Sequence, residues 1–369
     1  MKDIQAFHQA LSHPQEAANA AERPAIGYVC SYAPEELIHA AGFHPIRLFP
    51  PSGEISLADN HLQVYGCHLI RGILEDGLAG NLDYLFGMVF PHTCDAIQRL
   101  SDIWRLNMGQ TFFADVAMPT KLNAKSARNY MVMVLARFKA ELEEASGHSI
   151  STGDLEKSIA LYNGLREKLS TLYRLKTDHP GILSAHDLNA LTRGTMVMDR
   201  QRALGLLESI TADLTAAAES ISPRQGKRIL ITGSICGNTR IHQAIERAGG
   251  LVVADDLCTG QRWFDSRISP DKEPLEALAS RYLNRHICPA KHQDIRSRQT
   301  RLTRNVRETR ADGVIFLRLK FCDPLAFDYP HLAEALDGEN IPHLLMELGD
   351  PGETGGQITT RLETFTDML

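Results

Sequence analysis

The chain carries seven cysteines, at positions 30, 67, 94, 236, 258, 288 and 322, with no C-x-x-C pair among them. A free cysteine taken singly is more often a small buried hydrophobe than a reactive group. Several thiolates brought together are soft ligands suited to zinc or an iron–sulfur cluster. Without a C-x-x-C, neither a zinc ribbon nor a ferredoxin-type site is favoured, so a metal site would have to be assembled from distant segments. His68 and His92 stand beside Cys67 and Cys94, where each has the chemistry to ligate a metal or move a proton; the favoured reading is a loop histidine bonded to backbone. Glu35 and Glu36 follow Pro34 and read as opening a helix, where carboxylates complement the N-terminal dipole. A general acid or base role for either is the minority reading.

The elements that must position these residues follow from hydrophobic period. Short apolar runs at 25–30, 84–90, 110–118, 228–232, 251–254, 313–319 and 342–346 are bounded by Gly, Pro, Asp or Asn and predict buried strands. Helical patterns at 34–41, 70–78, 96–104, 239–248, 275–282 and 331–336 fall between them, which calls for parallel sheets of βαβ units. Five of the seven cysteines (Cys30, Cys94, Cys236, Cys258 and Cys322) then lie at or just beyond the carboxyl end of a strand. Open α/β sheets bind ligands in the crevice outside those ends, whereas burial alone would scatter cysteines through strand interiors.

Between 126 and 221 the strand signal disappears. Leu155, Ile159, Tyr162, Leu165, Leu169 and Leu172 repeat at helical spacing behind a capping-box pattern at Ser151-Thr152-Gly153-Asp154. Ser222-Pro223-Arg224-Gln225-Gly226 breaks that pattern. The expected organisation is an N-terminal α/β domain at 1–125, a helical segment at 126–225 and a C-terminal α/β domain at 226–369.

Composition narrows the function classes. The chain has 369 residues, is 43% hydrophobic and carries a formal charge of −6, which excludes disordered, collagen-like and small disulfide-framed classes. The mild acidity argues against nucleic acid or an anionic membrane as the main partner. No run is long enough to span a bilayer, and the opening MKDIQAFHQALSHPQ has no apolar export core, so a reducing cytoplasmic setting is expected. The strongest charge bias is Arg285, Lys291, Arg296, Arg298, Arg301, Arg304, Arg307 and Arg310. A solvated helix face is the favoured reading, a cradle for an anionic cofactor such as coenzyme A phosphates the sharper one, and nucleic acid the third. No G-x-x-x-x-G-K-[ST] or G-x-G-x-x-G occurs, so ATP, if the chemistry needs it, must be supplied by another protein. Gly233-Ser234-Ile235-Cys236-Gly237-Asn238 is a weak phosphate-loop candidate.

Taken together, CSYAPEELIHAAGFHPIRL at 30–48, YGCHLIRGILEDGL at 65–78, VFPHTCDAIQRLSDIW at 89–104, ITGSICGN at 231–238, DDLCTGQRWF at 255–264, DGVIFLRLKFCDP at 312–324 and GGQITTRLETF at 355–365 resemble the 2-hydroxyacyl-CoA dehydratase family. That family also contains subunits of ATP-dependent benzoyl-CoA reductase and the double-cubane cluster proteins. The resemblance implies two Rossmann-like parallel-sheet domains joined by a helical segment, with an iron–sulfur cluster in the crevice between them. It implies a [4Fe–4S] cluster held by Cys67, Cys94 and Cys322 with one open iron. Cys30 is a nearby additional thiol, Cys236 a weaker candidate, and Cys258 and Cys288 are expected to be structural.

The implied chemistry is reductive. An ATP-hydrolysing iron–sulfur activator protein drives one low-potential electron into the cluster, which passes it to an acyl-CoA thioester so that the 2-hydroxyl leaves by a radical route. Reduction of an aromatic acyl-CoA, or small-molecule reduction by a homodimer with a double-cubane [8Fe–9S] cluster, are the alternatives. The implied partners are a homologous second subunit, or a second copy, and the activator. No nucleic acid or membrane is expected. No catalytic base is assigned among His39, His68, His92, Glu35 and Glu36.

Overall fold

Two runs of strand and helix flank a purely helical stretch in the computed structural model, which describes residues 2–50, 53–220, 224–235, 240–285, 288–349 and 356–369. The first run is α1 (Lys2–Ser12), α2 (Pro14–Asn19), β1 (Ala25–Tyr28), α3 (Glu35–Ala40), β2 (His44–Arg47), α4 (His68–Leu78), β3 (Leu85–Pro91), α5 (Asp95–Asn107) and β4 (Phe112–Val116). The helical stretch is α6 (Ala127–Ser146), α7 (Thr152–Asp178), α8 (Ala185–Thr195) and α9 (Arg200–Ala217). The second run is β5 (Lys227–Gly233), α10 (Arg240–Arg247), β6 (Gly250–Asp256), α11 (Gln261–Phe264), α12 (Pro274–Asn284), α13 (Ile295–Thr309), β7 (Gly313–Leu319), α14 (Asp323–Asp337), β8 (His343–Leu348) and α15 (Gly356–Met368).

The strands form two four-stranded sheets, ordered β2-β1-β3-β4 and β6-β5-β7-β8, and every pairing is parallel. Each run therefore builds the same doubly wound order, with its switch point between the first and third strands of that run. The central strands are apolar and buried, as parallel strands covered on both faces must be: Ile229, Leu230, Ile231, Val314, Ile315 and Phe316 are fully enclosed. At the end of β5, Gly233 has φ +146° and a Cβ there would meet the Leu317 carbonyl oxygen at 2.0 Å, so glycine alone lets β5 and β7 close together.

One strand is absent from the sequence-based prediction. β2 reads His-Pro-Ile-Arg, too polar and too proline-bearing to look like a strand. It sits at the sheet edge, where proline is tolerated, and its polar side chains are buried by distant partners: His44 Nε2 donates to the Val197 carbonyl at 2.8 Å and Arg47 Nη1 to the Cys258 carbonyl at 2.7 Å. In the helical stretch, Ser151 and Asp154 form a complete capping box at the start of α7, whose Leu155, Ile159, Tyr162, Leu165, Leu169 and Leu172 are all buried.

Glu35 and Glu36 open a helix after Pro34 as expected, and their surroundings give them a further role. Both lie in the first turn of α3 but are buried, 4% and 0% exposed. Glu35 accepts from Arg200 Nη2 at 2.9 Å and from Trp263 Nε1 at 2.6 Å. Glu36 pairs with Arg166 of α7, and Tyr282 Oη of α12 donates to the Ala33 carbonyl at 2.8 Å. Burial opposes the charge on Glu36, but Arg166 and Arg281 overcome it and hold the carboxyl below its usual range. Removing one partner of such a pair strands the other charge in the interior, which costs about 3–5 kcal/mol. Glu35→Ala should therefore lower the unfolding free energy measured in urea by an amount in that range, and a wild-type unfolding curve would show that the pair does not seat α3.

His44 adds a pH dependence. Burial, with Arg200 close by, pushes its pKa down from 6.5 to about 4. The unfolded chain then takes up the proton first, so this stability is present above pH 6.5 and is lost as pH falls toward 4. The loss by pH 4.5 should be about 2 kcal/mol. Urea unfolding of His44→Gln should show a shallower decline over that window than wild type; parallel curves would refute the assignment.

Candidate functional site

Cys67, Cys94 and Cys322 each occupy the N-cap position of a helix, α4, α5 and α14 respectively. Cys94 leaves β3 and Cys322 leaves β7, the strands that flank the switch points of the two sheets. The carboxyl ends of both sheets thus deliver a thiol to one place. A helix N-terminus presents backbone N–H groups and a positive dipole end, which favour a thiolate. The N–H groups of Ile70, Ile97 and Leu325 act on the three sulfurs in that sense.

Burial acts the other way and wins. It raises the Cys67 thiol and pushes those of Cys94 and Cys322 up to about 12, with neighbouring cysteines adding to the rise. Cys94 feels Cys67, Cys30 and Cys322, and Cys322 feels Cys67. A coordinated metal reverses this balance, because a ligating thiol is deprotonated outright.

The cysteines line a cavity of about 90 Å³ together with Leu69, Ile97, Ile235, Leu319 and Leu325. Cys30 is there in a left-handed conformation, φ 69°, its sulfur accepting from Thr93 Oγ1 at 3.1 Å. Cys258 and Cys288, expected to be structural, line the same cavity. A hydrogen bond between these two, opposed by burial and supported by Arg262 and Arg47, lowers the Cys258 thiol, and the same bond raises that of Cys288. Arg262, whose Nη1 is 3.8 Å from the Cys258 sulfur, is itself clamped by Asp256 at 2.9 Å through two nitrogens. Cys258 had a readable signal in its place after β6. Cys288 had none, since it lies in a loop far from any strand end. Cys236 lies outside the described residues.

The proton-transfer candidates stand elsewhere. His39 bonds Ser158 Oγ through Nδ1 at 3.1 Å and faces Arg23 through Nε2 at 3.3 Å, and burial drives its pKa down to about 4. His92 Nε2 bonds Asp115 Oδ1 at 2.9 Å, His68 is buried in the first turn of α4, and Glu35 and Glu36 are held in the ion pairs above. None of the five lines the cavity.

Two buried cations act on the cysteines from outside the cavity lining. Lys291, 1% exposed, donates to the carbonyls of His92 at 3.1 Å and Met118 at 3.3 Å; burial lowers its pKa, and ionised thiols of Cys30, Cys288 and Cys94 act in the opposite sense. Arg47, also 1% exposed, has Nε and Nη2 without a hydrogen-bond partner. Among the described residues no group of three or more His, Cys, Asp or Glu side chains is placed to hold a metal ion. Six cysteines line one cavity, and clustered thiolates are soft ligands suited to zinc or iron–sulfur chemistry.

The chain matches the family described as 2-hydroxyglutaryl-CoA dehydratase, D-component, over residues 30–369. The (R)-phenyllactyl-CoA dehydratase beta subunit of Clostridium sporogenes is 26% identical over 345 residues, covering 94% of this chain and 91% of its own. A benzoyl-CoA reductase subunit of Thauera aromatica is 28% identical over 355 residues, covering 94% and 91%. The beta subunit of (R)-2-hydroxyglutaryl-CoA dehydratase from Acidaminococcus fermentans is 26% identical over 353 residues, covering 94% and 93%. Among the described residues no helix is long and apolar enough to cross a membrane. The match begins at Cys30 and takes in every element that delivers a thiol to the cavity, so the chain belongs to the 2-hydroxyglutaryl-CoA dehydratase D-component family.

Proposed function

We propose that the chain is the iron–sulfur subunit of an enzyme of the 2-hydroxyacyl-CoA dehydratase type, with Cys67, Cys94 and Cys322 as ligands of a [4Fe–4S] cluster. The observation that carries this reading is the convergence of three N-cap cysteines from two sheets on one dry cavity. A cluster bound there supplies a low-potential electron and an iron open to substrate for removal of the 2-hydroxyl of an acyl-CoA; ring reduction of an aromatic acyl-CoA is the alternative reaction. The protein's own part is positioning and exclusion. Leu69, Ile97, Leu319 and Leu325 keep water from the sulfurs. Ser234 Oγ accepts the Leu319 N–H at 3.1 Å and so fixes the end of β7 just before Cys322. Arg262, locked by Asp256, presents a guanidinium group in a fixed orientation to the cavity. His39, Glu35 and Glu36 are committed to structural hydrogen bonds and drop out as bases. The relatives are named as subunits, which supports a homologous second chain as partner; an ATP-hydrolysing activator protein is proposed in addition as electron source.

A second reading is favoured by the number of thiols. Cys30, Cys258 and Cys288 line the same cavity as Cys67, Cys94 and Cys322, so one chain supplies six thiols. That supply suits a double-cubane [8Fe–9S] cluster held by a single chain, and with it a low-potential reductase. Anaerobic purification with iron and sulfide analysis separates the two. About four irons and four sulfides per chain is the expected result, and about eight and nine favours the second reading. In both, Cys94→Ala should strip the visible absorption; Cys288→Ala should halve the iron only under the second. A protein with neither iron nor acid-labile sulfide sinks both.

A further inference from the structure

Lys291 stands apart from the basic stretch to which it belongs in sequence. Arg298, Arg301, Arg307 and Arg310 of that stretch are paired with Asp328, Asp265, Glu339 and Asp178. Lys291 is 1% exposed, and among the described residues no carboxylate pairs with it. An ammonium has three N–H donors, and the acceptors that the described residues supply to this one are the carbonyls of His92 and Met118, at 3.1 and 3.3 Å. Two neutral acceptors do not offset the loss of water around a buried charge. The protein alone therefore gives no account of why a lysine stands here.

The loop that carries it joins the two halves of the chain. It follows α12 in the second run, yet His292 forms a parallel bridge with Lys121, which follows β4 of the first run. The His292 N–H donates to the Thr120 carbonyl at 2.8 Å and the Leu122 N–H to the His292 carbonyl at 2.9 Å. These backbone bonds seat the loop without help from the Lys291 side chain. Cys288, Pro289 and Ala290 of the same loop line the thiol cavity, and the Lys291 N–H donates to the Cys288 carbonyl at 2.9 Å. The ammonium reaches across to His92, two residues before Cys94. A positive charge thus lies behind the lining, between the loop of Cys288 and the loop of Cys94. Ionised thiols of Cys30, Cys288 and Cys94 are the groups that act to keep it charged.

We propose that Lys291 is a positioning residue for the electron-transfer step, a fixed positive charge that makes the addition of an electron at the thiol cavity more favourable. This rests on the function proposed above for the cavity. The step adds one electron, delivered by the activator protein, and moves no proton: Lys291 keeps its ammonium protons, and no bond to it forms or breaks. The cavity content becomes one unit more negative, and away from water a nearby positive charge stabilises the reduced form far more than it would in solution. The same reasoning says that the charge is kept at a cost to the fold. With the thiols protonated it has no anion opposite it, so a neutral side chain of similar length should relieve the iron-free protein.

The test compares wild type, Lys291→Met and Lys291→Arg, all purified without oxygen. In the iron-free proteins, Lys291→Met should need at least as much urea to unfold as wild type, because removing an unmatched buried charge offsets the loss of two hydrogen bonds. A clearly lower midpoint, or failure to fold, shows a structural role and overturns the proposal. In the iron-loaded proteins, a redox titration followed by EPR should give Lys291→Met a reduction equilibrium constant at least about tenfold below wild type, about 59 mV more negative for one electron. Lys291→Arg should stay close to wild type. Equal potentials in wild type and Lys291→Met, a potential in Lys291→Arg displaced as far as in Lys291→Met, or loss of iron from both variants overturns the proposal. Loss of iron confined to Lys291→Met supports it, since charge rather than shape is then what the site requires. A wild type that holds neither iron nor acid-labile sulfide removes the cluster reading together with this one, whereas an iron-loaded wild type matched by Lys291→Met removes this one alone.

Discussion

Everything about the thiol cavity depends on the buried ion-pair array at the first turn of α3. Glu35 and Glu36 reach Arg200 and Arg166 of the helical stretch, and Trp263 and Tyr282 of the second run close on the same turn. A hydrophobic contact would allow these layers to slide. Charges removed from water tolerate only the geometry in which each is matched, because an unmatched one costs several kcal/mol. α3 begins five residues after Cys30, and α11 follows Cys258 by three. The array thus fixes two thiol-bearing loops from opposite halves of the chain against a common helical support, and the rest of the cavity is built on that frame.

The second constraint is topological. Both runs use the same strand order, so each has a switch point where loops leave in opposite directions and open a crevice at the carboxyl end of the sheet. A residue that leaves a central strand there becomes the N-cap of the next helix, as Cys94 and Cys322 do. A cysteine in that place is aimed at the crevice and sits at the positive end of a helix dipole. Ligand orientation and electrostatic support for a thiolate therefore come from one choice of position.

How much of this could be read from residue order follows from what each feature depends on. Seven of the eight described strands announce themselves as apolar runs, because buried parallel strands need apolar residues on both faces. β2 does not, since what makes His44 and Arg47 acceptable in a sheet is supplied by Val197 and Cys258, far along the chain. The strand-end rule found Cys30, Cys94, Cys258 and Cys322 and had no way to find Cys67 or Cys288, which enter the cavity from loops that no predicted strand precedes. Glu35 and Glu36 carried a real local signal for a helix start, but their partners are 165 and 130 residues away. Local preference fixed the element, and burial decided the role.

The charge balance around the cavity is the last step. Among the described residues no carboxylate pairs with the buried cations Lys291 and Arg47, and a buried charge is tolerated only when something offsets it. Arg262 differs, being neutralised by Asp256. The anions that favour charge on Lys291 are all cysteines, and Arg47 acts on Cys258. Protonated thiols offset neither cation, and burial keeps Cys94 and Cys322 protonated when nothing is bound. The cofactor proposed above, a thiolate-ligated iron–sulfur cluster, would be anionic and would hold its ligands deprotonated, and so would offset the charge of Lys291 and Arg47. The cations that look uncompensated in the protein alone are those that would favour the reduced state of the proposed cofactor.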